Sequence, residues 1–270
     1  MSDRQKKLFL IIALIIIAII AYYKFSDDKK QVLINDSFSQ RVLLKDGDYY
    51  FDTLSFKKWI ERNFEPNTVL LKCYQRNTKN IKYAVINYKY SNDTNYIFAV
   101  VAQPKELKIK INLDDLVGYY SSFGNLDSTK KGTAFFYLLL VANYGNEYKI
   151  LWKELIPIHN GFDIVYLENW PVKNKDYIVV QFFDAISQGT RRFNYFLINS
   201  LFNKPHLLET YSGIDNLRRL ANINDDEYPD YYEFYFLNNN NMIKMGDSVG
   251  FIWDGKVYYN VKNPKQTREY

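Results

Sequence analysis

The residues with the clearest chemistry lie between 222 and 230, where the sequence reads Asn-Ile-Asn-Asp-Asp-Glu-Tyr-Pro-Asp. Oxygen-bearing side chains stand at alternate places and at the end of this stretch, on Asn222, Asn224, Asp226 and Asp230. In a tightly turning loop such side chains converge on one point, and the main-chain carbonyl of Tyr228 adds a further oxygen. Because hard cations prefer oxygen ligands, this spacing predicts a site for a hard cation.

Together with the aromatic strand that follows, this loop resembles the calcium loop of FG-GAP/VCBS repeats, the units of integrin-type propellers. Their pattern is Asp-x-Asp-x-Asp-Gly-x-x-Asp, and the resemblance implies the same four side chains as ligands, with the Tyr228 carbonyl between them. Asn222 stands where Asp is usual, which lowers the charge of the site and its affinity for calcium. Glu227 replaces the glycine of the turn, so we expect backbone strain there. A turn rich in Asn and Asp that needs no metal is the alternative interpretation.

The remaining sequence contains no recognisable catalytic set. His159 and His206 lie far apart and lack zinc-site spacing. Cys73 is the only cysteine, which excludes an intrachain disulfide and a cysteine-rich zinc site. The stretch 124–131 resembles a phosphate-binding loop superficially, but it lacks the second glycine and the final hydroxyl. We therefore predict a protein that is not an enzyme.

Composition indicates a folded body and gives no sign of nucleic-acid binding. Charged residues make up 24% and hydrophobic residues 47%, which is enough apolar surface for a core. The net charge is +5, but Lys and Arg are interleaved with Asp and Glu and form no basic run, so no nucleic-acid partner is predicted. Aromatic residues reach 18%, and Tyr and Phe favour sheet over helix.

An N-terminal segment predicts contact with a membrane. Residues 8–23 contain no charged residue, Pro or Gly, and they follow Arg4, Lys6 and Lys7. As a helix this stretch is about 24 Å long, somewhat short of a ~30 Å hydrocarbon core, a difference that flanking lysines cover by snorkelling. We predict a signal anchor, a transmembrane helix over residues 1–25.

The alternative for this segment is a signal peptide that is cleaved after Ala21, although Ile19 fits the cleavage rule poorly. Basic residues before the apolar stretch favour a cytoplasmic N-terminus. The body is therefore predicted to be extracytoplasmic, most simply on a bacterial inner membrane facing the periplasm. After cleavage it would instead be secreted or periplasmic.

A small α+β region is predicted over residues 26–118. An Asp-Gly pair at residues 46 and 47 between apolar runs indicates a hairpin. Apolar residues at helical spacing predict a helix over 53–64, with Thr53 or Ser55 as its cap and Pro66 preventing its continuation. Three strands are predicted after it, over residues 69–75, 81–90 and 96–103.

A β-rich region is predicted over residues 119–270. The predicted strands cover residues 135–141, 147–151, 177–183, 192–198, 231–237, 249–253 and 256–261. Similar loop-strand units recur at spacings of roughly 44 and 54 residues, within the range of propeller blades. The predicted fold is mainly β, with antiparallel units in a propeller-like or sandwich arrangement behind an N-terminal transmembrane helix.

Two functional hypotheses follow. The first is a non-enzymatic, membrane-anchored extracytoplasmic protein whose β-rich domain binds a protein partner, in one version an immunity-type protein that neutralises a delivered toxin. The second is an extracytoplasmic carbohydrate-binding protein or hydrolase, with Trp152, Trp170 and Trp253 as sugar-stacking surfaces in an aromatic cleft. Exposed tryptophans on a concave face favour the second hypothesis, and a flat aromatic patch favours the first.

Overall fold

The computed structural model describes residues 52–74, 80–89, 95–106, 134–145, 147–157, 161–184, 189–214, 216–239 and 242–268. The predicted leader and the predicted hairpin around residues 46 and 47 lie outside these ranges. Within them, no helix combines the length and the apolar composition that a membrane crossing requires.

The predicted helix is confirmed as α1, Thr53–Asn63. Its N-cap is Asp52, which precedes both predicted caps, Thr53 and Ser55. The Asp52 carboxylate accepts hydrogen bonds from two backbone N–H groups of the first turn. Phe56 and Ile60, one turn apart, are both buried and belong to the core that α1 shares with the first sheet. The apolar spacing of the sequence therefore identified the buried face correctly.

Strands form most of the described chain, which confirms the mainly β, antiparallel fold class. They are β1 (Val69–Leu70), β2 (Lys72–Tyr74), β3 (Ile81–Tyr83), β4 (Val85–Lys89), β5 (Asn95–Pro104), β6 (Ala134–Asn143), β7 (Tyr148–Ile156), β8 (Phe162–Trp170), β9 (Lys175–Asp184), β10 (Gly189–Phe196), β11 (His206–Ser212), β12 (Asn216–Ala221), β13 (Asp230–Asn239), β14 (Met242–Trp253), β15 (Tyr258–Asn260) and β16 (Thr267–Arg268).

The first sheet has the strand order β1-β5-β6-β7, with β4 also paired to β5. Strands β5 and β6 pair from Asn95 opposite Asn143 to Pro104 opposite Ala134. Both are apolar runs with few exposed residues, because α1 covers one face of the sheet and the second sheet covers the other. β5 belongs to the predicted region 26–118 and β6 to the region 119–270, while the boundary itself lies outside the described residues.

The second sheet contains nine strands, β8 to β16, in the order of the sequence and all antiparallel. Strands β11 and β12 share only two residue pairs, Tyr211 with Arg218 and Ser212 with Leu217. Seven pairs join β10 to β11, and six join β12 to β13. The sheet therefore consists of two four-stranded meanders, β8–β11 and β12–β15, which diverge at a narrow connection, and the two-residue strand β16 pairs with β15 at the edge.

The sheets pack face to face in three layers. One core cluster joins Phe98 of the first sheet to Val180 and Phe193 of the meander β8–β11. A second cluster joins Phe196, on the other face of that meander, to Tyr231 of the meander β12–β15. The middle meander is thus covered on both faces, and the last meander is packed against it by one face only.

Candidate functional site

The predicted calcium loop is closed by the side chain of Asp230, the first residue of β13. Oδ2 of Asp230 accepts hydrogen bonds from the backbone N–H groups of Ile223 and Asn224, at 2.7 and 3.3 Å. Its Oδ1 accepts from the backbone N–H of Trp253, at 3.3 Å. Burial raises the pKa of the Asp230 carboxyl, and these three hydrogen bonds oppose the rise. Asp230 therefore fixes the start of the loop to both β13 and β14.

Two turns shaped by side-chain oxygens follow within the loop. Oδ1 of Asn224 accepts from the Asp226 N–H at 3.2 Å, and Oδ1 of Asp226 accepts from the Tyr228 N–H at 2.7 Å. The left-handed residue of the loop is Asp225, with φ of 61°. The expected strain at Glu227 was therefore wrong, because the chain reverses two residues earlier, where aspartate tolerates this conformation.

Lysines of the neighbouring meander hold the outside of the loop. Nζ of Lys173, in the turn between β8 and β9, lies 2.8 Å from the Asp225 carbonyl oxygen and 2.5 Å from Oδ1 of Asp225. Nζ of Lys175 lies 3.4 Å from Oε2 of Glu227. The hydrogen bond from Lys173 lowers the pKa of the exposed Asp225 carboxyl. The loop is thereby tied to the middle meander, and part of its negative charge is neutralised.

The structure brings the predicted calcium ligands together in one loop but leaves metal binding a prediction. Asn222 Oδ1 is buried and has no hydrogen-bond partner in the described part of the chain, so it is an oxygen that a cation would satisfy. The same part of the chain holds no cluster of three or more His, Cys, Asp or Glu side chains able to bind a metal. A calcium ion here would therefore depend on the Asn222 and Asn224 amides and the Tyr228 carbonyl as well as on carboxylates.

An apolar patch lies beside the loop, on the outer face of the last meander. A Cβ added to Gly250 would lie 3.0 Å from Ile223 Cδ1, 3.2 Å from Tyr232 Cε1 and 3.4 Å from Val261 Cγ2. Tyr232 stands directly opposite Gly250 in the pairing of β13 and β14. Tyr232 is 38% exposed and Val261 is 45% exposed. Three distant segments thus place apolar side chains around one glycine at the surface.

Phe234 and Arg219 extend this patch along β13 and β12. Phe234 is two residues from Tyr232, so both side chains project from the same face, and their ring centroids are 6.4 Å apart. The Arg219 guanidinium carbon lies 5.9 Å from the Phe234 ring centroid. We call these residues the outer patch: Arg219, Ile223, Tyr232, Phe234, Gly250 and Val261. None of them belongs to a buried core cluster of the described residues.

The opposite face of the same strands carries a buried ionic network. Arg218 is 6% exposed and donates from Nη2 and Nε to Oε1 of Glu233, which is itself only 2% exposed. Oε2 of Glu233 also lies 3.7 Å from Nη2 of Arg268. Burial acts to raise the pKa of Glu233, but Arg218, Tyr235 and Arg268 outweigh it and hold that pKa below its usual value. This network fixes the back of the meander that presents the outer patch.

Two of the three tryptophans of the carbohydrate hypothesis lie in the cores. Trp152 is buried and donates from Nε1 to the Leu201 carbonyl at 2.9 Å. Trp170 is buried against Phe196. Trp253 is partly buried and packs against the third core cluster. Trp152 and Trp170 therefore offer no surface on which a sugar ring could stack.

Comparison with known proteins adds no relative. No protein-family model matches the sequence, and no curated protein and no solved structure is significantly similar to it. The residues of the outer patch were not identified from the sequence. The available signal was the alternation along β13, where Tyr232 and Phe234 must share a face if Tyr231 is buried.

Proposed function

We propose that the chain is a non-enzymatic, membrane-anchored extracytoplasmic protein whose last meander binds a protein partner through the outer patch. The anchor is inferred from the uncharged residues 8–23 and the basic residues before them. The observation that carries the binding proposal is the meeting of Ile223, Tyr232 and Val261 at an exposed sheet face.

The chemistry of the outer patch suits a protein surface. Tyr and Arg are the residue types that most often dominate binding energy at protein interfaces. Tyr232 and Arg219 lie here on a rigid sheet, so little conformational entropy is lost when a partner docks. The patch is built on paired strands and flanked by a hydrogen-bonded loop, so it offers a preformed surface for a protein partner.

We propose that calcium strengthens partner binding at the outer patch. The loop 222–230 carries Ile223 into the patch, and Asp230 fixes the Ile223 backbone. A cation held by Asn222, Asn224, Asp226, Asp230 and the Tyr228 carbonyl would reduce the freedom of this loop. Partner binding is then strengthened by millimolar Ca²⁺, because the loop is ordered before the partner arrives.

We further propose that the three four-stranded units form a partial propeller-like array. The support is that β4–β7, β8–β11 and β12–β15 are antiparallel meanders stacked face to face. Propeller blades have this strand order, and the predicted repeat spacing agrees with it. An experimental structure in which the three meanders share no common axis would contradict this proposal.

Photo-crosslinking of the full-length chain in its own membrane tests the binding proposal. A photoreactive phenylalanine analogue replaces Tyr232, and in a matched control it replaces Tyr144, which is 53% exposed between β6 and β7. We expect a protein adduct from position 232 and none from position 144. The Tyr232 adduct is expected to weaken in V261S and when calcium is chelated.

The possible results separate the parts of the proposal. An adduct with a delivered toxin would support the immunity-type version. No adduct at position 232, from a chain recovered intact in the membrane fraction, would contradict a protein partner at the outer patch. Recovery of the chain in the soluble fraction without its leader would contradict the anchor. The same crosslinking experiment would then test the outer patch on the soluble chain.

A further inference from the structure

A cleft of about 300 Å³ opens where β11 and β12 diverge. Its floor is the face of β8–β10 that points toward the last meander, and Arg218 and Leu220 of β12 line one wall. Arg219, which belongs to the outer patch, also lines the cleft, so the cleft reaches the edge of that patch along β12. Of the described residues that line the cleft, none belongs to the loop 222–230, so the cleft is distinct from the predicted calcium site.

Arg192 and Glu168 line opposite ends of the cleft floor. Arg192 of β10 pairs with Gln181 of β9, and Glu168 of β8 pairs with Tyr177, which lies four residues before Gln181 in β9. Strand geometry places the two charged residues about 13 Å apart along the strands and about 10 Å apart across them. Because both side chains are long, the guanidinium of Arg192 and the carboxylate of Glu168 can come close enough for one small ligand to contact both.

The guanidinium of Arg192 is available for a ligand. Its Nε donates to Oε1 of Gln181 at 2.8 Å, and its terminal nitrogens donate no hydrogen bond within the described residues. Asp163, on the same face, accepts a hydrogen bond from Gln181, and Arg192 acts on it only as a nearby charge. The wall carries two further cations: Arg218 is already paired with Glu233, and the guanidinium carbon of Arg219 lies 5.9 Å from the Phe234 ring centroid in the outer patch. Arg192 is thus the group that would receive an anion.

The floor between the two charges is polar and rigid. Asn194 is 4% exposed, and its Nδ2 donates to the Leu208 carbonyl at 2.8 Å and to Thr210 Oγ1 at 2.9 Å. The Asn194 Oδ1 accepts no hydrogen bond from the described chain, which leaves it as an acceptor for a ligand N–H. The Tyr177 ring is stacked on Phe196 at 4.5 Å and is fixed by that contact.

We infer that this cleft binds a short peptide, two to three residues long, with its C-terminal carboxylate on Arg192 and its N-terminal ammonium toward Glu168. An extended peptide of this size spans about 7 to 11 Å, which fits between the two charged side chains. The planar guanidinium binds a carboxylate through two parallel hydrogen bonds. Glu168 disfavours an anion at its end and Arg192 disfavours a cation at its end, so a zwitterion is the class that matches both charges.

Isothermal titration of the full-length chain in detergent micelles tests this inference, with trialanine as the probe. We expect the wild type to bind trialanine. Trialanine amide and N-acetyl-trialanine should each bind to the wild type at least tenfold more weakly than trialanine. R192Q is expected to weaken trialanine tenfold or more and to bind trialanine and its amide equally. E168Q is expected to bind trialanine and its acetylated form equally. R62Q, at an exposed arginine of α1, is the matched control and should bind like the wild type.

Several results would overturn the inference. Absence of heat with trialanine, for a wild-type chain that unfolds cooperatively on heating, excludes the short-peptide ligand. Equal affinity for trialanine, its amide and its acetylated form excludes the assigned polarity. If R192Q fails to fold, R192K is used instead. Lysine cannot form two parallel hydrogen bonds to a carboxylate, so R192K should distinguish trialanine from its amide less well than the wild type does. An unchanged ratio of the two affinities in R192K would contradict a two-hydrogen-bond contact at Arg192. Binding of glucose but not of trialanine places a polyol in the cleft and rejects the peptide.

Discussion

The hydroxyl of Tyr258 donates to the Pro229 carbonyl at 2.8 Å and lies 2.7 Å from Nε2 of His206. A hydroxyl has one hydrogen, so with Pro229 as its acceptor the proton between Tyr258 and His206 belongs to Nε2 of the imidazole. The ring of Trp253 packs edge-on against His206, with centroids 4.8 Å apart. His206 therefore joins the meander β8–β11 to the meander β12–β15 as a neutral, Nε2-protonated side chain.

The protonation of His206 is expected to make stability depend on pH. Burial lowers the pKa of His206 to about 4, and the charge of Asp226 opposes this only in part. The unfolded chain, with an ordinary pKa near 6.5, binds this proton more readily, so the free energy of unfolding falls as pH drops from about 6.5 to about 4. The full loss is about 3 kcal/mol, and urea unfolding of the full-length chain between pH 7.5 and 4 measures it.

The control for this prediction is the other histidine. H206Q removes the titrating group and should flatten the pH dependence between 6.5 and 4, whereas H159Q should retain the wild-type curve. A wild-type curve parallel to that of H206Q would show that His206 contributes no pH dependence.

The buried ion pair of Arg218 and Glu233 is expected to be costly to break from one side. R218M leaves the Glu233 carboxylate buried without its main partner, so we expect the free energy of unfolding to fall by about 3 to 5 kcal/mol. The double variant R218M/E233Q removes the unpaired charge and should recover at least half of that loss. R219M, at the exposed neighbour, should change stability by less than about 0.5 kcal/mol. Equal losses in the single and double variants would mean that packing, not charge, dominates at this site.

Calcium binding at the loop 222–230 is expected to appear as stabilisation by the metal. At ten times its dissociation constant, bound Ca²⁺ raises the free energy of unfolding by about 1.4 kcal/mol, which differential scanning calorimetry detects. D226N should reduce this shift, because Asp226 is a predicted ligand. K173M frees the Asp225 side chain and should preserve or increase the shift. The calcium site is rejected if the melting temperature is the same in 5 mM CaCl₂ and in EDTA, with Mg²⁺ as the specificity control.

Cys73 is expected to be unreactive in the folded protein. It is the only cysteine of the chain and is fully buried, and desolvation raises the pKa of its thiol. Because the thiolate is the reactive form, labelling by a disulfide reagent should be at least about a hundredfold slower in the native chain than in urea. An exposed C73S/V172C variant, with its cysteine in the turn before β9, is the positive control. Rapid labelling of native Cys73 would indicate local opening of β2.

Local pattern identified elements that contain their own signal. The spacing of Phe56 and Ile60 predicted α1, and the apolar run of β5 predicted a strand within one residue of each end. The sequence did not predict β8, β11 or β12 as strands. Strand β12 reads Asn-Leu-Arg-Arg-Leu-Ala, and the adjacent arginines hide its alternation, because Arg218 is buried by Glu233 while Arg219 is exposed. A buried charge is recognisable only when its partner is known.

The candidate site also has a part that the sequence predicted and a part that only the structure revealed. The oxygen-rich spacing from Asn222 to Asp230 was visible in the sequence, and the structure shows that these residues form one closed loop. The neighbours of that loop were not visible, because Lys173 is 52 residues from Asp225 and Tyr232 meets Val261 only across Gly250. Contacts of this kind are set by strand register, which depends on the whole sheet.

By itself, the sequence determined what local composition and periodicity encode: a mainly β body, the helix α1, and the prediction of a leader in the first 25 residues. Only the tertiary structure decided which faces are covered. It placed Trp152 and Trp170 in cores, left Tyr232 at the surface, and opened the cleft between β11 and β12. The physical reason is that alternation assigns a side chain to one of two faces, whereas the packing of distant strands determines which face is buried.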